Sequence, residues 1–256
     1  MNVKELFDLT GRVAIVSGGS IGLGRQMAEG LAEMGANLVL CARKQERCEE
    51  AAEQLRTLGV QTLALACDVR DKMAIQTVVD ATLAKFGRID ILVNNAGVSW
   101  GAPVETMTLE DWDNVLSTNL TGTFLFCQAA GKAMIAQRSG KIINIASVAG
   151  LGGASAELQA IGYHASKGGV IAFTKDLACK WAAHNIQVNA IAPGWFPTHM
   201  SEWVIEHRGD SLLGKIPLGR FGGDHDLKGA AVFLASDASA YVTGHVLVVD
   251  GGQSAW

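Results

Sequence analysis

Residues 12–24 read Arg-Val-Ala-Ile-Val-Ser-Gly-Gly-Ser-Ile-Gly-Leu-Gly, and they set the fold of the chain. The first six of them form an apolar, β-branched run that is typical of a buried strand. A glycine-rich turn follows, and the apolar spacing of Met27, Leu31 and Met34 after it indicates a helix. Glycines let a backbone approach a ligand closely, and the N–H groups at the start of a helix attract phosphate. The stretch therefore suits a dinucleotide-binding turn, or an ordinary strand-to-helix turn that is rich in glycine.

Short apolar runs alternate with helical patterns along the rest of the chain. The runs suited to strands lie at residues 37–41, 61–67, 89–93, 141–146, 186–192 and 245–249. The helical patterns lie at residues 45–58, 74–86, 109–117, 120–136, 163–183 and 226–234. This alternation predicts one α/β domain over residues 1–256, a Rossmann-type doubly wound parallel sheet of about seven strands with helices on both faces. Residues 195–223 have no regular period, and we interpret them as an irregular segment and a candidate lid over substrate.

The composition restricts the kind of protein. The chain has 256 residues, 49% of them hydrophobic, and a formal net charge of −4. The weak acidity argues against nucleic acid or an anionic membrane surface as the main partner, and no apolar run approaches the roughly 18 residues of a membrane span. The five cysteines are scattered without a C-x-x-C pair. We therefore expect free thiols, no metal site and a cytoplasmic location.

Several polar or glycine-containing stretches follow the ends of predicted strands. They are the glycine turn, Asp68, residues 94–97, Ser147, and Pro193 with Gly194. Ligands of open α/β sheets bind at the carboxyl ends of the strands. We therefore expect these stretches to line one cleft. Asp68 has two interpretations, because its carboxylate could hydrogen-bond an adenine or cap the helix that begins near Asp71.

Two cations follow the second predicted strand. A carboxylate at this place in a dinucleotide fold binds the 2′-hydroxyl of NAD, whereas a cation accommodates the 2′-phosphate of NADP. Arg43 and Lys44 come directly after Cys41 and Ala42, with no Asp or Glu at the strand end. This pattern favours NADP over NAD. NAD stays open, because both cations could also be ordinary solvated residues at a helix start.

Tyr163 and Lys167 are four residues apart in a predicted helix. That spacing puts both side chains on one face of the helix. An ammonium beside a phenol favours the phenolate, so we predict a pKa of Tyr163 below its usual value of about 10. A phenol tuned in this way can exchange a proton near neutral pH. By itself the pair has another interpretation, because a Tyr and a Lys one turn apart also occur on solvated helices.

From about Thr10 to the C-terminus the chain resembles the short-chain dehydrogenase/reductase family. The resemblance rests on a G-x-x-x-G-x-G turn, an N-N-A-G segment, an S…Y-x-x-x-K centre, a Pro-Gly pair and a closing V-D-G-G segment. These stand at Gly18, Gly22, Gly24, residues 94–97, Ser147, Tyr163, Lys167, Pro193, Gly194 and residues 249–252. Ser17 stands where the family usually has Thr, which still leaves a hydroxyl group.

The resemblance implies an enzyme that transfers hydride between NADP(H) and a ketone or secondary alcohol. Tyr163 would exchange a proton with the substrate oxygen, and Ser147 would hydrogen-bond that oxygen. Lys167 would lower the pKa of Tyr163 and bind the nicotinamide ribose, and Asn119 would hold a water that connects Lys167 to solvent. Besides Tyr163 and Lys167, the residues expected at the cofactor are Gly18, Ser20, Ile21, Gly22, Gly24, Arg43, Lys44, Asp68, Val69, Asn95, Ala96, Gly97, Pro193, Gly194 and Thr198.

The sequence says less about the substrate. Besides Ser147, the candidate pocket walls are Ser99, Trp100, Gln159, Trp195, Phe196 and Trp203. Their aromatic rings suit either a partly apolar cavity or core packing. The family also implies a homo-oligomer, a tetramer or dimer, formed through its two long central helices and its last strand.

Three alternatives stay open. Within the family they are a 3-oxoacyl-[acyl-carrier-protein] reductase and a gluconate 5-dehydrogenase-like sugar-acid enzyme. The first would need a basic patch to dock an acidic carrier, for which Arg208, Lys215 and Arg220 are candidates. The third alternative is a cofactor-binding scaffold or redox sensor without turnover, which the complete set of Ser147, Tyr163 and Lys167 disfavours.

Overall fold

The structure, a computed structural model, describes residues 2–256. The strands β1 to β7, in chain order, are Val13–Ser17, Asn37–Ala42, Thr62–Ala66, Ile91–Asn94, Gly140–Ile145, Ile186–Pro193 and Val246–Val249. They form one sheet in the order β3-β2-β1-β4-β5-β6-β7, and every neighbouring pair is parallel. The predicted parallel sheet of seven strands is confirmed.

Helices connect the strands. The helices α1 to α9, in chain order, are Val3–Leu6, Gly22–Glu33, Gln45–Arg56, Lys72–Phe86, Leu109–Leu116, Gly122–Gln137, Ile161–Trp181, Glu202–Leu213 and Lys228–Ala235. A π-helical turn, Ser117–Thr121, joins α5 to α6, and 3-10 turns lie at Val148–Gly150, Ala182–His184 and Asp237–Ser239. The predicted strand and helix ranges differ from these ends by at most two residues.

Two apolar cores cover the two faces of the sheet. Successive side chains of a strand point to opposite faces. Ala14 and Val16 of β1 therefore pack in the core with α2, α3 and α9. Val13 and Ile15 pack in the core with α4, α6 and α7. A strand that is buried on both faces of a sheet has a continuous apolar sequence, which is why residues 12–17 predicted a buried strand.

One segment differs from its prediction. Residues 195–223 contain the helix α8, Glu202–Leu213, where an irregular segment was expected. Leu212 is the one buried residue of α8, so the helix lacks the apolar stripe that marks a helix in a sequence. Gly209, inside α8, lowers its intrinsic helix propensity as well. The flanking parts of this segment are irregular, as predicted.

The strand order creates one crevice. The chain winds from β1 to β2 and β3 on one side, and β4 to β7 lie on the other. The connections leaving β1 and β4 therefore diverge at the carboxyl edge of the sheet, which is where open α/β sheets bind ligands. Among residues 2–256, no helix is long and apolar enough to cross a bilayer.

Candidate active site

The turn between β1 and α2 contains positions that require glycine. Gly18 and Gly22 have φ angles of 63° and 56°, in the left-handed region that favours glycine. A Cβ atom on Gly24 would overlap the Gly18 carbonyl oxygen and the side-chain nitrogen of Asn95. Three glycines of the motif are therefore fixed by backbone conformation or by close packing.

The first turn of α2 fits a phosphate group. Ile21 is the N-cap residue, and it makes no side-chain capping hydrogen bond. The first N–H groups of α2 thus keep their ability to bind an anion. A Cβ atom on Gly22 would meet only the Thr198 side chain, at 3.6 Å. The glycine turn is therefore open toward Thr198, and it fits the pyrophosphate of a dinucleotide.

The loop after β4 is fastened to this turn. The Ser17 hydroxyl accepts hydrogen bonds from the N–H groups of Asn95, at 3.1 Å, and Ala96, at 3.2 Å. The Asn95 side chain donates to the carbonyl oxygens of Ser17, at 3.1 Å, and Gly18, at 3.0 Å. The hydroxyl at position 17 is thus a structural requirement, and the Asn95 side chain fastens the loop after β4 to the glycine turn.

The two cations predicted to recognise NADP lie beside the glycine turn. Arg43 and Lys44 are exposed and follow β2 directly. The carboxyl end of β2 adjoins that of β1, since the Gly18 N–H donates to the Cys41 carbonyl oxygen at 2.8 Å. Ser20, in the same turn, is half-buried. Two exposed cations therefore lie at the carboxyl end of β2, where they could hold a 2′-phosphate.

Arg70, which sequence reasoning missed, holds the Asp68 carboxylate. Its Nη2 donates to Asp68 Oδ2 at 2.6 Å, and its Nε donates to Oδ1 at 3.1 Å. These hydrogen bonds lower the pKa of Asp68. Asp71 caps α4 by accepting from the Met73 N–H at 2.8 Å, so the alternative that Asp68 caps this helix is wrong.

Val69 faces away from the cleft. Its side chain is buried in the core beside α4 and α6. A Cβ atom on Gly122, at the start of α6, would lie 2.9 Å from Val69 Cγ2. Val69 can therefore contribute only its backbone to a cofactor site.

Tyr163 and Lys167 lie in the first turns of α7. The Lys167 side chain is only 4% exposed. Its Nζ donates to the Ile145 carbonyl oxygen at 2.6 Å and lies 5.5 Å from the centroid of the Tyr163 ring. Burial lowers the pKa of Lys167 to about 8. The predicted juxtaposition is present, with an ammonium fixed by a backbone carbonyl at the end of β5.

The pKa of Tyr163 departs from the prediction. Burial of the phenol raises this pKa, and a hydrogen bond with Ser147 offsets only part of the rise. Lys167 does not lower it, because its ammonium is directed to the Ile145 carbonyl and lies over the ring face. The predicted lowering of the Tyr163 pKa is wrong for this structure. The phenol is protonated at neutral pH.

Ser147 completes the group. It is 9% exposed, begins the 3-10 turn after β5, and accepts a hydrogen bond from the Ala149 N–H at 3.2 Å. A Cβ atom on Gly150 would lie 2.6 Å from the Lys167 carbonyl carbon, so this turn packs directly on α7. Close packing of the turn and helix brings Ser147 to Tyr163.

Asn119 lies in the π-helical turn between α5 and α6, at the predicted junction. Its side-chain amide is fully buried and donates to the Val98 carbonyl oxygen at 2.9 Å and to Ser166 Oγ at 3.0 Å. Its Oδ1 accepts from the Val98 N–H at 2.8 Å. The side chain therefore joins the β4 loop to α7, and the water connection to Lys167 stays a prediction.

Pro193, Gly194 and Thr198 close the cleft from the end of β6. Gly194 packs against residue 250, where a Cβ atom would lie 2.7 Å from Asp250 Cβ. The Thr198 N–H donates to Ser201 Oγ at 2.9 Å. Ser201, which the sequence did not reveal as a site residue, thus fixes the turn that carries Thr198 against the glycine turn.

The predicted pocket walls divide into two groups. Phe196 is only 5% exposed and packs in the core with α2 and α9, directly on Gly222. Its ring therefore follows the core-packing alternative for the most part, and its assignment to the substrate pocket stays a prediction. Trp100 and Trp203 are 49% and 61% exposed. Ser99 and Gln159 are exposed and Trp195 is half-buried, so these five side chains can contact a ligand.

The five cysteines are free thiols, as predicted. Four of them, Cys41, Cys48, Cys67 and Cys127, are buried, and Cys179 is exposed. Among residues 2–256, no group of three or more His, Cys, Asp or Glu side chains is arranged to hold a metal ion.

Comparison with known proteins identifies the family. A family model described as Enoyl-(Acyl carrier protein) reductase matches residues 18–254. The D-threitol dehydrogenase of Mycolicibacterium smegmatis is 43% identical over 99% of this chain and 97% of that protein. The gluconate 5-dehydrogenase of Gluconobacter oxydans is 41% identical over 98% of each chain. The chain belongs to the short-chain dehydrogenase/reductase family.

A solved structure extends this assignment. A gluconate 5-dehydrogenase from Burkholderia cenocepacia, in complex with NADP and tartrate, matches this short-chain dehydrogenase with a TM-score of 0.95. The two are 37% identical, and the match covers 100% of each chain. The predicted family, fold and enzyme class, an NAD(P)-dependent oxidoreductase that acts on CH–OH groups, are therefore confirmed.

Proposed function

We propose that this short-chain dehydrogenase interconverts a small secondary alcohol and its ketone with NADP(H), and that Tyr163 is the general acid and base. The observation that carries the proposal is the meeting of Ser147, Tyr163 and Lys167 at the carboxyl edge of the sheet, beside the open glycine turn. When bound, the nicotinamide supplies or accepts the hydride. The side chains of the protein bind, orient and exchange the proton.

Tyr163 supplies the proton in the direction of reduction. Its raised pKa keeps the phenol protonated at neutral pH, which is the form that can protonate a developing alkoxide. Ser147 donates a hydrogen bond to the same oxygen and stabilises its charge. In the direction of alcohol oxidation Tyr163 must accept the proton, so we expect that rate to increase as pH rises.

Lys167 would bind a ribose hydroxyl of the nicotinamide cofactor and so hold the cofactor beside Tyr163. With a pKa of about 8, its ammonium is charged at neutral pH. An ammonium has three N–H donors, and the Ile145 carbonyl takes one of them. The other two are available to a ligand. Gly97 lies close by, since a Cβ atom there would lie 3.2 Å from Asn119 Oδ1 and 3.7 Å from Nζ.

NADP is the cofactor that this edge of the sheet suits. Arg43 and Lys44 are exposed beside the glycine turn, where they would neutralise a 2′-phosphate. The uncapped N-terminus of α2 would hold the pyrophosphate. Asp68 would take the adenine amino group, and Arg70 holds its carboxylate in place. NADP in the Burkholderia cenocepacia gluconate 5-dehydrogenase supports this choice.

An acyl-carrier substrate, which the description of the family model suggests, is disfavoured. Two of the three candidate docking cations are neutralised by carboxylates. Arg208 lies 3.4 Å from Glu157, and Arg220 forms a two-point ion pair with Asp226. A small polyhydroxylated substrate, as the names of the two relatives reported above indicate, remains the better candidate.

We also infer a cytoplasmic homo-oligomer. Five free thiols suit a reducing compartment. Phe124 of α6 is 43% exposed and packs edge-on against Phe173 of α7, with 6.3 Å between ring centroids. Val248 on the edge strand β7 is exposed as well. Apolar side chains on two long helices and an edge strand support association through the surfaces that the family uses. Light scattering of the purified protein tests this inference.

The proposal is tested by the pair of variants Tyr163→Phe and Tyr241→Phe. The first keeps the ring and removes the proton donor, so turnover should fall by about 100-fold or more, while NADP binding stays at the wild-type level. Tyr241 is fully exposed, and its variant should match the wild type in both measurements. Turnover retained in Tyr163→Phe would remove Tyr163 as the acid.

A further inference from the structure

Three segments leave the sheet at its carboxyl edge, which is the edge where Tyr163 lies. They are residues 99–102, residues 151–160, and α8 with the turn before it, and each departs from the carboxyl end of β4, β5 or β6. The Ala102 N–H donates to the Gln159 carbonyl oxygen at 2.8 Å, which joins the first segment to the second. Arg208 Nη1 donates to the Glu157 carbonyl oxygen at 2.8 Å, which joins the second to α8. We call these three segments the mouth.

The mouth carries an excess of negative charge. Arg208 is its one lysine or arginine. Its carboxylates are Glu157, Glu202, Glu206 and Asp210. An aldonate substrate brings a further carboxylate, and like charges brought together without a counterion cost binding free energy. The formal charge of the mouth therefore opposes a sugar acid.

The one permanent cation is already bound. Arg208 donates to the backbone of Glu157 and lies 3.4 Å from Glu157 Oε2. His199, the nearest other nitrogen base before α8, lies 3.5 Å from the Glu202 carboxylate. A site that recognises a carboxylate ordinarily offers an arginine fork or a free ammonium. Within the described mouth, Arg208 and His199 lie beside carboxylates of the protein, and His207 lies against Trp203.

The rest of the mouth suits a neutral, hydroxylated chain. Trp100 and Trp203 present half-exposed indole surfaces, which can cover the C–H face of a polyol. Trp203 is held by stacking on His207, with 4.4 Å between ring centroids. Ser99 and Gln159 are exposed at the same rim, and their hydroxyl and amide groups can hydrogen-bond neutral hydroxyl groups.

We propose that the site selects a neutral polyol, or the corresponding ketose, over an aldonate, and that the Glu157–Arg208 pair enforces this choice. The inference rests on the proposed dehydrogenase function and narrows its substrate class. Removing the Glu157 charge leaves the backbone contact of Arg208 in place but removes the carboxylate that neutralises its guanidinium, so the guanidinium should then attract an aldonate. Substrate selectivity would then depend on a residue that lies outside the catalytic group.

The test measures kcat/KM with NADP for two pairs of equal chain length, D-threitol with D-threonate and D-glucitol with D-gluconate. For the better neutral alcohol, we expect kcat/KM to exceed that of the acid of the same chain length by about tenfold or more. If kcat/KM for an acid equals or exceeds that for its neutral partner, the inference is overturned and the dehydrogenase function stays intact. Bound NADP without oxidation of any of the four compounds overturns the proposed function, and the inference with it.

Glu157→Gln tests the assigned pair directly. The ratio of kcat/KM for the acid to that for the neutral alcohol should rise by about fivefold or more. The matched control is Glu49→Gln, because Glu49 forms an ion pair of 2.6 Å with Arg56 on α3, outside the mouth. The control ratio should stay at the wild-type value. An unchanged ratio in Glu157→Gln, or an equal rise in both variants, contradicts the assignment.

Discussion

The two ends of strand β5 each bury a lysine. Lys141 lies at its amino end, and Lys167 lies against its carboxyl end through the Ile145 carbonyl. The side chains are similarly buried, with residue exposures of 9% and 4%. Burial lowers the pKa of each to about 8. By burial and pKa alone, the two lysines are equivalent.

Their neighbours differ. Lys167 has a carbonyl acceptor, the ring of Tyr163, and the cleft beside Gly97. Lys141 Nζ has no hydrogen-bond partner among residues 2–256, and the nearby charges are Asp237 and Arg12. A perturbed pKa therefore does not identify a catalytic lysine. A position at the carboxyl edge of the sheet does identify it, because there the chain leaves each strand through an open turn that can receive a ligand.

The largest expected effect is a difference in kcat between variants of the two lysines. Lys167→Met removes the ammonium that would position the nicotinamide ribose beside Tyr163, so kcat should fall by about 100-fold or more. Lys141→Met changes an equally buried lysine at the opposite edge, and kcat should stay within about twofold of the wild type. Steady-state assays with NADP measure both. Equal losses in the two variants would mean that the effect of Lys167 is structural.

The next effect compares two arginines at the two ends of α3. Arg43→Asp places a carboxylate where a ribose 2′-hydroxyl would lie, so the preference for NADP over NAD should shift toward NAD by about tenfold, or ~1.4 kcal/mol. Arg56 lies at the far end of α3, toward the amino edge of the sheet. Arg56→Asp makes the same charge change, and its cofactor preference should not move.

Ratios of kcat/KM for NADP and NAD decide between these outcomes. A preference that Arg43→Asp leaves unchanged would remove Arg43 from the cofactor site. An equal shift in Arg56→Asp would assign the effect to net charge.

The smallest effect concerns stability at the amino edge. Lys141 has a pKa of about 8 in the folded protein, against an ordinary value of 10.5. The unfolded chain therefore binds more protons between these values, and wild-type stability gains from this group as pH rises from about 8 to 10.5. At pH 7 the buried ammonium lowers the free energy of unfolding. Lys141→Met should therefore unfold with a free energy roughly 1–2 kcal/mol higher than that of the wild type.

Urea unfolding at pH 7 and at pH 10 measures this difference. We expect the advantage of Lys141→Met to shrink at the higher pH, because there the wild-type lysine is largely neutral. An advantage that grows with pH would contradict the assigned shift of the Lys141 pKa.

The features that the sequence predicts are local ones. Three such features are the strand over residues 12–17, the glycine turn and the Tyr163–Lys167 spacing. Each depends on residues close together in the sequence, because strand burial, left-handed φ angles and helical periodicity depend on neighbours in the chain. The shared cleft followed from strand polarity alone. These are the parts of the site for which chain order is sufficient.

The errors have non-local causes. Arg70 was missed because its importance lies in the Asp68 carboxylate that it holds. The sequence left Phe196 between pocket and core, because the room for its ring comes from the distant Gly222. The pKa of Tyr163 was predicted in the wrong direction, because burial of the phenol raises this pKa and the Lys167 ammonium is engaged by the Ile145 carbonyl, a backbone group with no sequence signature. Helix α8 was not predicted because Leu212 is its one buried residue, which leaves no apolar periodicity in the sequence.

The central claim is that the carboxyl edge of the sheet forms an NADP-dependent dehydrogenase centre. The most direct measurement follows the absorbance of reduced nicotinamide in wild-type protein with a panel of polyols, aldonates and ketones, with NADP and NAD in parallel and cofactor binding measured in the same samples. The account predicts turnover of at least one alcohol–ketone pair, faster with NADP than with NAD. Tight binding of NADP without any oxidation or reduction across the panel would contradict it and would favour a cofactor-binding scaffold.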